Sequence, residues 1–576
     1  MKKFYICMAA TGLFVAGAHA QSAIDAYNIS QPDMKGTARF MSMAGAFGAL
    51  GGDLSSLSQN PAGIGVYRSG DVGFTLNLDA QSSKSTAQGY SYDMSQTKFL
   101  LNNIGAVVTL NLPNNTFPNF NIGFTYNKGA SFNRKYGGNI PRLGNSMSNY
   151  MAAIAESNEL TEGDVATVPG YDPYNPGAND YPSPWLDILG YDSYLITPEY
   201  DPRSGKTYWY GQWADWNNGT STSGSGSFLM NEKGSLDEYN IALGGNIANV
   251  LYWGMNFDIT HVNYQLNSVW AESLVNAAVP NANNVLTSAS SDWNLNNFYQ
   301  VSGTGFNYQL GVIVKPVQEL RLGFAFHTPT WYNLTESFGA NINYSYDGGS
   351  YYNVQTNNGV LAYNDFSFRT PWKFIASAAA VLGNNFIVSF DYEWAKYSSM
   401  KFSSPDYGWD NPWYDGWYDW SPAPEPSQGP LATKSSFLDY DDPYYYENQD
   451  IQTYYKQSNT FRVGAEFRLT PWFSLRAGYS HVSSPVKSEA KNNKETIYTS
   501  GTLPSYRFDN DTNYITGGLG LKHNRFYLDL AYVYKHMDSE YHAYTPDPDA
   551  APGQQSPQAK VSLNNSQVVL TMGWRF

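Results

Sequence analysis

Apolar and polar residues alternate strictly over many separate stretches of this chain. Phe386, Val388, Phe390, Tyr392 and Trp394 interleave with Ile387, Ser389, Asp391, Glu393 and Ala395. Phe526, Leu528, Leu530, Tyr532 and Tyr534 interleave with Tyr527, Asp529, Ala531, Val533 and Lys535. Leu320, Leu322, Phe324 and Phe326, Val568 through Phe576, and Val72, Phe74, Leu76 and Leu78 read the same way. A period of two marks a strand with two unlike faces. A soluble sandwich alternates as well. Here, though, one face is continuously bulky and often aromatic, while the other carries small residues and charges. With aromatics crowding the strand ends, this is the lipid-out, polar-in pattern of an outer-membrane barrel.

The periodicity predicts an all-β, transmembrane antiparallel β-barrel of about fourteen strands. The expected spans are 71–81, 102–112, 119–132, 236–249, 251–266, 302–314, 318–331, 370–382, 385–401, 458–469, 471–484, 511–522, 525–538 and 562–576. Short links near 113–118, 315–317, 383–384, 470 and 523–524 alternate with long ones at 82–101, 133–235, 267–301, 332–369, 402–457, 485–510 and 539–561. Tight periplasmic turns and long extracellular loops give this rhythm. Closure also removes the exposed edges that such strands would otherwise present.

Three segments stand outside the strand pattern. Residues 1–20 read as a signal peptide: Lys2 and Lys3, an apolar run from Phe4 to Gly17, then Ala18-His19-Ala20 as the cleavage pattern before Gln21. Residues 21–70 precede the first strand and hold a small-residue, Gly-punctuated run, Ala38 to Leu50, expected as a small hatch or plug in the lumen of the 71–576 barrel. In the loops, 146–160 is expected to be helical with Met147, Tyr150, Met151 and Ile154 on one face, and 268–279 is a second helical candidate through Val269, Trp270, Leu274 and Val275. Loop 402–457 interleaves Trp409, Trp413, Trp417 and Trp420 with Asp406, Asp410, Asp415 and Asp419. This is chemistry for stacking on sugars or holding calcium, or simply for a loop folded on itself.

Composition narrows the classes. Aromatics are 16 % and charged residues only 14 %, yet mean hydropathy is −0.43. No apolar run past the N-terminus has the length of a membrane helix. The one cysteine, Cys7, leaves with the signal, so the mature chain offers no thiol metal site, and no cofactor is expected. Losing Lys2 and Lys3 takes the net charge from −15 to −17, which argues against nucleic acid as a partner. The partners expected are outer-membrane lipid and a hydrophobic small molecule. No protein partner is named by the sequence.

The run Thr37-Ala38-Arg39-Phe40-Met41-Ser42-Met43-Ala44-Gly45-Ala46-Phe47, followed by Asn60-Pro61-Ala62 and then a strand, resembles the N-terminal hatch of the FadL-type long-chain fatty acid transporters. The stretches Leu320 to Pro329 and Phe461 to Tyr479 look like that family's seventh strand and its paired late strands. The likeness covers the hatch and most strands and fails in the long loops. It implies a plugged fourteen-strand barrel of the bacterial outer membrane. Hydrophobic molecules would be captured outside, bound beside the hatch, and released sideways at an inward kink of the third strand. Gly123 and Gly129 are the candidate kinks, or else small inward residues. Asn60, Pro61 and Ala62 form the hatch signature, shaping a turn. Phe40, Met41, Met43 and Phe47 either line a ligand pocket or anchor the hatch, and Arg39 meets a ligand carboxylate or pairs with a lumen acid.

Two other classes compete. A rim hydrolase would draw on His261, His327, His481, His523, His536 or His542, of which His327 and His481 fall near outer strand ends. No nucleophile or metal motif accompanies them, so an enzyme is not expected. An accessory component for secretion or lipopolysaccharide traffic, docking a partner through loops 133–235 and 402–457, is the stronger alternative.

Overall fold

The computed structural model describes residues 21–113, 115–176, 183–216, 219–383, 385–405, 443–492, 497–499, 501–545 and 556–576. The expected signal peptide and the Trp/Asp stretch of 406–442 lie outside the described residues. Among the described residues, nineteen segments form one sheet; four continue a strand across a short break, and one, Tyr352–Gln355, is an added edge. Fourteen antiparallel strands remain, and the last pairs with the first, from Asp71↔Arg575 to Thr86↔Lys560, closing a barrel.

We number the strands along the chain. They are β1 Asp71–Ala87, β2 Tyr90–Asn111, β3 Asn119–Ser131 resuming as Arg134–Ile140, β4 Ser223–Ile247, β5 Leu251–Pro280 and β6 Leu286–Val314. Next come β7 Leu320–His327 resuming as Trp331–Tyr346, β8 Ala362–Arg369 resuming as Lys373–Leu382, and β9 Phe386–Lys396 resuming as Lys401–Ser403. The wall ends with β10 Gln457–Thr470, β11 Phe473–Val482, β12 Tyr506–His523, β13 Phe526–His542 and β14 Gln558–Arg575. All the expected strands are present in the expected order. The alternation decides their faces: Phe386, Phe390, Leu528 and Leu530 point out and are exposed, while Asp391 and Asp529 point in and are buried.

Several expected loops are strand. Residues 82–101 are a hairpin of β1 and β2, and most of 267–301 and 332–369 continues β5 to β8 upward. The expected helix at 268–279 is corrected with them: it is the upper part of β5, hydrogen-bonded to β4 on one side and β6 on the other. Burial there has period two, with Trp270, Glu272 and Leu274 inward. The apolar residues counted toward a helical stripe sit on opposite faces of a strand. The helix expected at 146–160 is there as Met147–Ser157, capped by Ser146. It packs with a second helix, Trp185–Asp192, and both belong to a large aromatic-rich buried cluster with the upper strands. Its N-terminus is held by buried Glu272, which accepts from the Met147 amide at 2.8 Å and from Trp270 Nε1 at 2.9 Å. This is the placement a helix dipole favours for a carboxylate.

Residues 21–70 lie inside the wall. They form helices Ala23–Ser30 and Ala38–Ser42 and 3₁₀ turns Leu54–Ser58 and Pro61–Val66. Each begins on a side-chain cap, from Ser22, Thr37, Asp53 and Asn60 respectively. Short polar caps satisfy the free amides that open each helix, so a segment too short to hold a core of its own is still locally specified.

Candidate functional site

The hatch lies directly on the wall because glycines leave it room. A Cβ on Gly254 of β5 would fall on the Pro61 carbonyl, and one on Gly311 of β6 would fall on Asn60 Oδ1. Gly323 of β7 meets the Gly48 carbonyl in the same way, and Gly464, Gly478 and Gly518 of β10 to β12 meet Met43 and Ser42. Any side chain at these inward positions would lift the hatch off its seat. These glycines escape a reading of single strands. Their signal is the recurrence of an inward Gly at matching height in neighbouring strands.

Asn60, Pro61 and Ala62 sit at the centre of this seat, all buried. Asn60 Oδ1 accepts from the Ala62 amide at 3.1 Å, while Nδ2 donates to the Gly48 carbonyl at 2.6 Å. One side chain thus caps the 3₁₀ turn and ties together two limbs of the hatch. Asn60→Ala is expected to cost about 1–2 kcal/mol of local stability. Faster amide exchange over residues 48–66 checks it, with the barrel ladder unchanged; unchanged exchange in the hatch would contradict the assignment.

Polar groups hold the rest. The Gly48 amide and Gln59 Nε2 each donate to Asp391 Oδ2 at 2.9 Å, and Arg321 donates to the Leu50 carbonyl at 2.7 Å. Lys35 is buried between Asp79 at 2.8 Å and Asp33 at 3.5 Å, and Lys535 reaches Asp33 at 3.2 Å. Arg39 pairs with Glu466 at 3.0 Å, and the same carboxylate takes Arg468 and Arg476, the last also held by Asp529. In this state Arg39 therefore meets a lumen acid. Phe40, Met41, Met43 and Phe47 are buried and pack with Tyr514, Ala531, Val533 and Val569 of the wall. His327, expected near a rim, ends the lower half of β7 inside the barrel, its Nε2 at 2.9 Å from the Gln59 carbonyl. The strand runs on past it to Tyr346, so the position is corrected from rim to hatch support.

The wall itself is interrupted beside the hatch. β2 and β3 pair from Asn111↔Asn119 up to Asn103↔Asn127. Above that, among the described residues, β2 pairs with β1 alone. The β3–β4 ladder shifts register between Lys128 and Ala130. At that point the Gly129 carbonyl accepts from the Asp33 amide of the hatch at 2.9 Å. Beyond it β3 leans inward: the Lys135 carbonyl accepts from Ser83 Oγ, an inward group of β1, at 2.7 Å. Upper β2 is left exposed on both faces, with Phe99 68 % exposed. Gly123 lies in regular ladder, against Ile64 and Leu57 of the hatch.

Two small cavities lie beside the hatch. A cavity of about 50 Å³ lies under the bend among Gln31, Asp33, Asp79, Asn133, Arg134 and Lys535. Another of about 40 Å³ lies above helix Ala23–Ser30 among Tyr136, Tyr264, Tyr299, Tyr506 and Arg507. A wholly apolar groove of about 600 Å³ lies on the outer wall among Met255, Leu310, Phe324, Phe374 and Trp394, facing lipid.

No curated protein matches the chain. Among solved structures, a Pseudomonas aeruginosa FadL homologue aligns at 12 % identity over 95 % of this chain and 99 % of that one, with a TM-score of 0.47. The toluene transporter TodX of P. putida aligns at 11 % over 94 % and 99 %, with a TM-score of 0.46. The Ralstonia pickettii toluene transporter TbuX aligns at 13 % over 96 % and 100 %, with a TM-score of 0.43. The family model described as outer membrane protein transport protein (OMPP1/FadL/TodX) matches residues 210–513, more than half of the sequence. The chain belongs to this family of outer-membrane transport barrels.

Proposed function

We propose that this barrel takes up small hydrophobic molecules of long-chain fatty acid type. Cargo is captured by the extracellular loops, passes beside the hatch, and leaves sideways through the wall between β2 and β3. The observation that carries this reading is the pairing of a sealed floor with an interrupted wall. The hatch rests on glycines with no side chain between, while the β2–β3 ladder stops at Asn103↔Asn127. A route through the floor must break a buried ionic network, and breaking one buried pair costs about 3–5 kcal/mol. A route through the wall meets the free edge of β2 and the lipid beyond it, where an apolar molecule is already at home.

In this reading Phe40, Met41, Met43 and Phe47 are the apolar surface that cargo meets when the hatch shifts, and Arg39 is the cation that exchanges Glu466 for a cargo carboxylate. Both ion pairs are charge-assisted hydrogen bonds of similar strength, which makes such an exchange reversible. Gly129, where the β3–β4 ladder shifts register, is the hinge of the opening.

Native mass spectrometry of the detergent-extracted protein tests the cargo class. A co-purified fatty acid or similar apolar molecule is expected. A barrel that is empty of small molecules and holds a stoichiometric protein partner would overturn the proposal in favour of an assembly role.

A further inference from the structure

The outward faces of β5 to β8 change chemistry abruptly with height. Low on the wall they are apolar, with Met255, Phe257 and Ile259 on β5 and Leu310, Tyr308 and Phe306 on β6. An aromatic knot closes this band: Phe306 stands 5.5 Å from Trp331 and Phe257 stands 5.3 Å from Tyr308. Such a knot marks the edge of the hydrocarbon layer. Above it the same face carries mostly amides and hydroxyls, broken by Val269 on β5 and Phe298 on β6. Thr304 faces Asn333, Ser302 faces Thr335, Asn296 faces Asn341, and Asn294 faces Asn343 across the β6–β7 ladder. Asn263, Gln265 and Asn267 continue the surface onto β5. All are exposed or half-exposed. Charge is confined to the margins, at Lys233, Asp237, His261, Asp292 and Asp365.

The amides are held in order. Asn296 and Asn343 both donate to Asn294 Oδ1, at 2.8 and 3.0 Å. Asn353 donates to Asn343 at 2.6 Å, and Gln355 to Asn353 at 2.9 Å. A side-chain amide has two N–H donors and an oxygen with two lone pairs. Asn294 Oδ1 thus has both lone pairs taken and keeps its N–H donors, while Asn343 and Asn353, which each accept one bond and donate one, keep both a donor and an acceptor. An ordered, uncharged row of alternating donors and acceptors matches vicinal hydroxyls, which donate and accept from neighbouring carbons.

We infer that this face is a docking surface for the sugar head group of an outer-leaflet glycolipid, whose acyl chains lie against the apolar band below. Continuity argues for this occupant. The amide rows and the apolar band lie on the same strands, so a molecule whose acyl chains rest on the band places its head group at the rows. The inference rests on the outer-membrane placement and not on the cargo proposed for the lumen.

The test uses the full chain in detergent, loaded either with intact glycolipid from a bacterial outer membrane or with the same lipid stripped of its sugars. Retention is read by native mass spectrometry. Intact glycolipid is expected to be retained about tenfold better, as the loss of a few hydrogen bonds implies. Asn294→Ala/Asn343→Ala/Asn353→Ala is expected to bring it down to the level of the stripped lipid. Equal retention of the two lipids, an unaffected triple variant, or a second copy of the chain in place of glycolipid would each overturn the inference. If the triple variant fails to assemble, the comparison of the two lipids on the unaltered chain decides alone. Uptake of cargo is not measured, so failure here leaves the lumen reading untouched.

Discussion

Deletion of residues 21–67 is expected to convert a sealed barrel into a conducting one. The wall does not need the segment in order to close. β1 pairs with β14 over its whole length, and every neighbouring pair of strands shares a ladder. What the segment supplies is the filling: helix Ala38–Ser42 against β11 to β14, and the turn Pro61–Val66 against β3 to β6. Without it the inward faces around Asp79, Asp391 and Glu466 lose Lys35, the Gly48 amide and Arg39 as partners and take water instead. A charged lumen that holds water carries ions. Planar-bilayer recordings are expected to change from silent to steadily open, with the heat-modifiable gel mobility of a folded barrel retained. Recordings that stay silent on a folded barrel would contradict the plug.

The second large effect is expected at Gly129. In the bent strand a Cβ there would run into the Leu236 side chain and stand 2.8 Å from Glu238 Oε1. Valine fills that space on both sides of its Cβ, so Gly129→Val disfavours the extra residue and favours a β3 that pairs with β4 without the register shift. The Gly129 carbonyl then leaves the Asp33 amide, and upper β3 returns toward the free edge of β2. Uptake of a labelled long-chain fatty acid is expected to fall about tenfold, the equivalent of some 1.4 kcal/mol in the opening equilibrium, at unchanged surface level. An independent sign is slower amide exchange over residues 90–102, which now find partners. Unchanged uptake together with unchanged exchange would remove Gly129 from the mechanism.

The wall was legible wherever lipid dictated it. Outward positions between β1 and β14 must be apolar, so the alternation declared every crossing strand. Above the membrane that constraint lapses. The outer face of β5 carries Asn263, Gln265 and Asn267, and the inward Trp270 and Leu274 no longer contrast with an apolar exterior. The period-two signal fades there, and 268–279 looked helical by chance spacing. The hatch was legible as a segment, from its small residues and Asn60-Pro61-Ala62. Its fastenings were not. Arg39 and Glu466 lie 427 positions apart, and Lys35 and Gln567 lie 532 apart. Only closure of the barrel brings them together. Gly123 and Gly129 offered the same marker in β3; the register shift falls at Gly129, whose carbonyl meets the Asp33 amide, a contact that no local pattern announces.

The glycine seat also orders assembly in time. Residues 35–48 touch β7, β9, β10, β11, β12 and β14, so most of their landing places are synthesised hundreds of residues later. A segment made early is thus among the last to settle fully. Until Thr571 of β14 meets the Ala38 amide, the seat of residues 35–48 is incomplete. Contacts of such long sequence separation form late. Lodging of residues 35–48 is therefore completed only as the barrel closes.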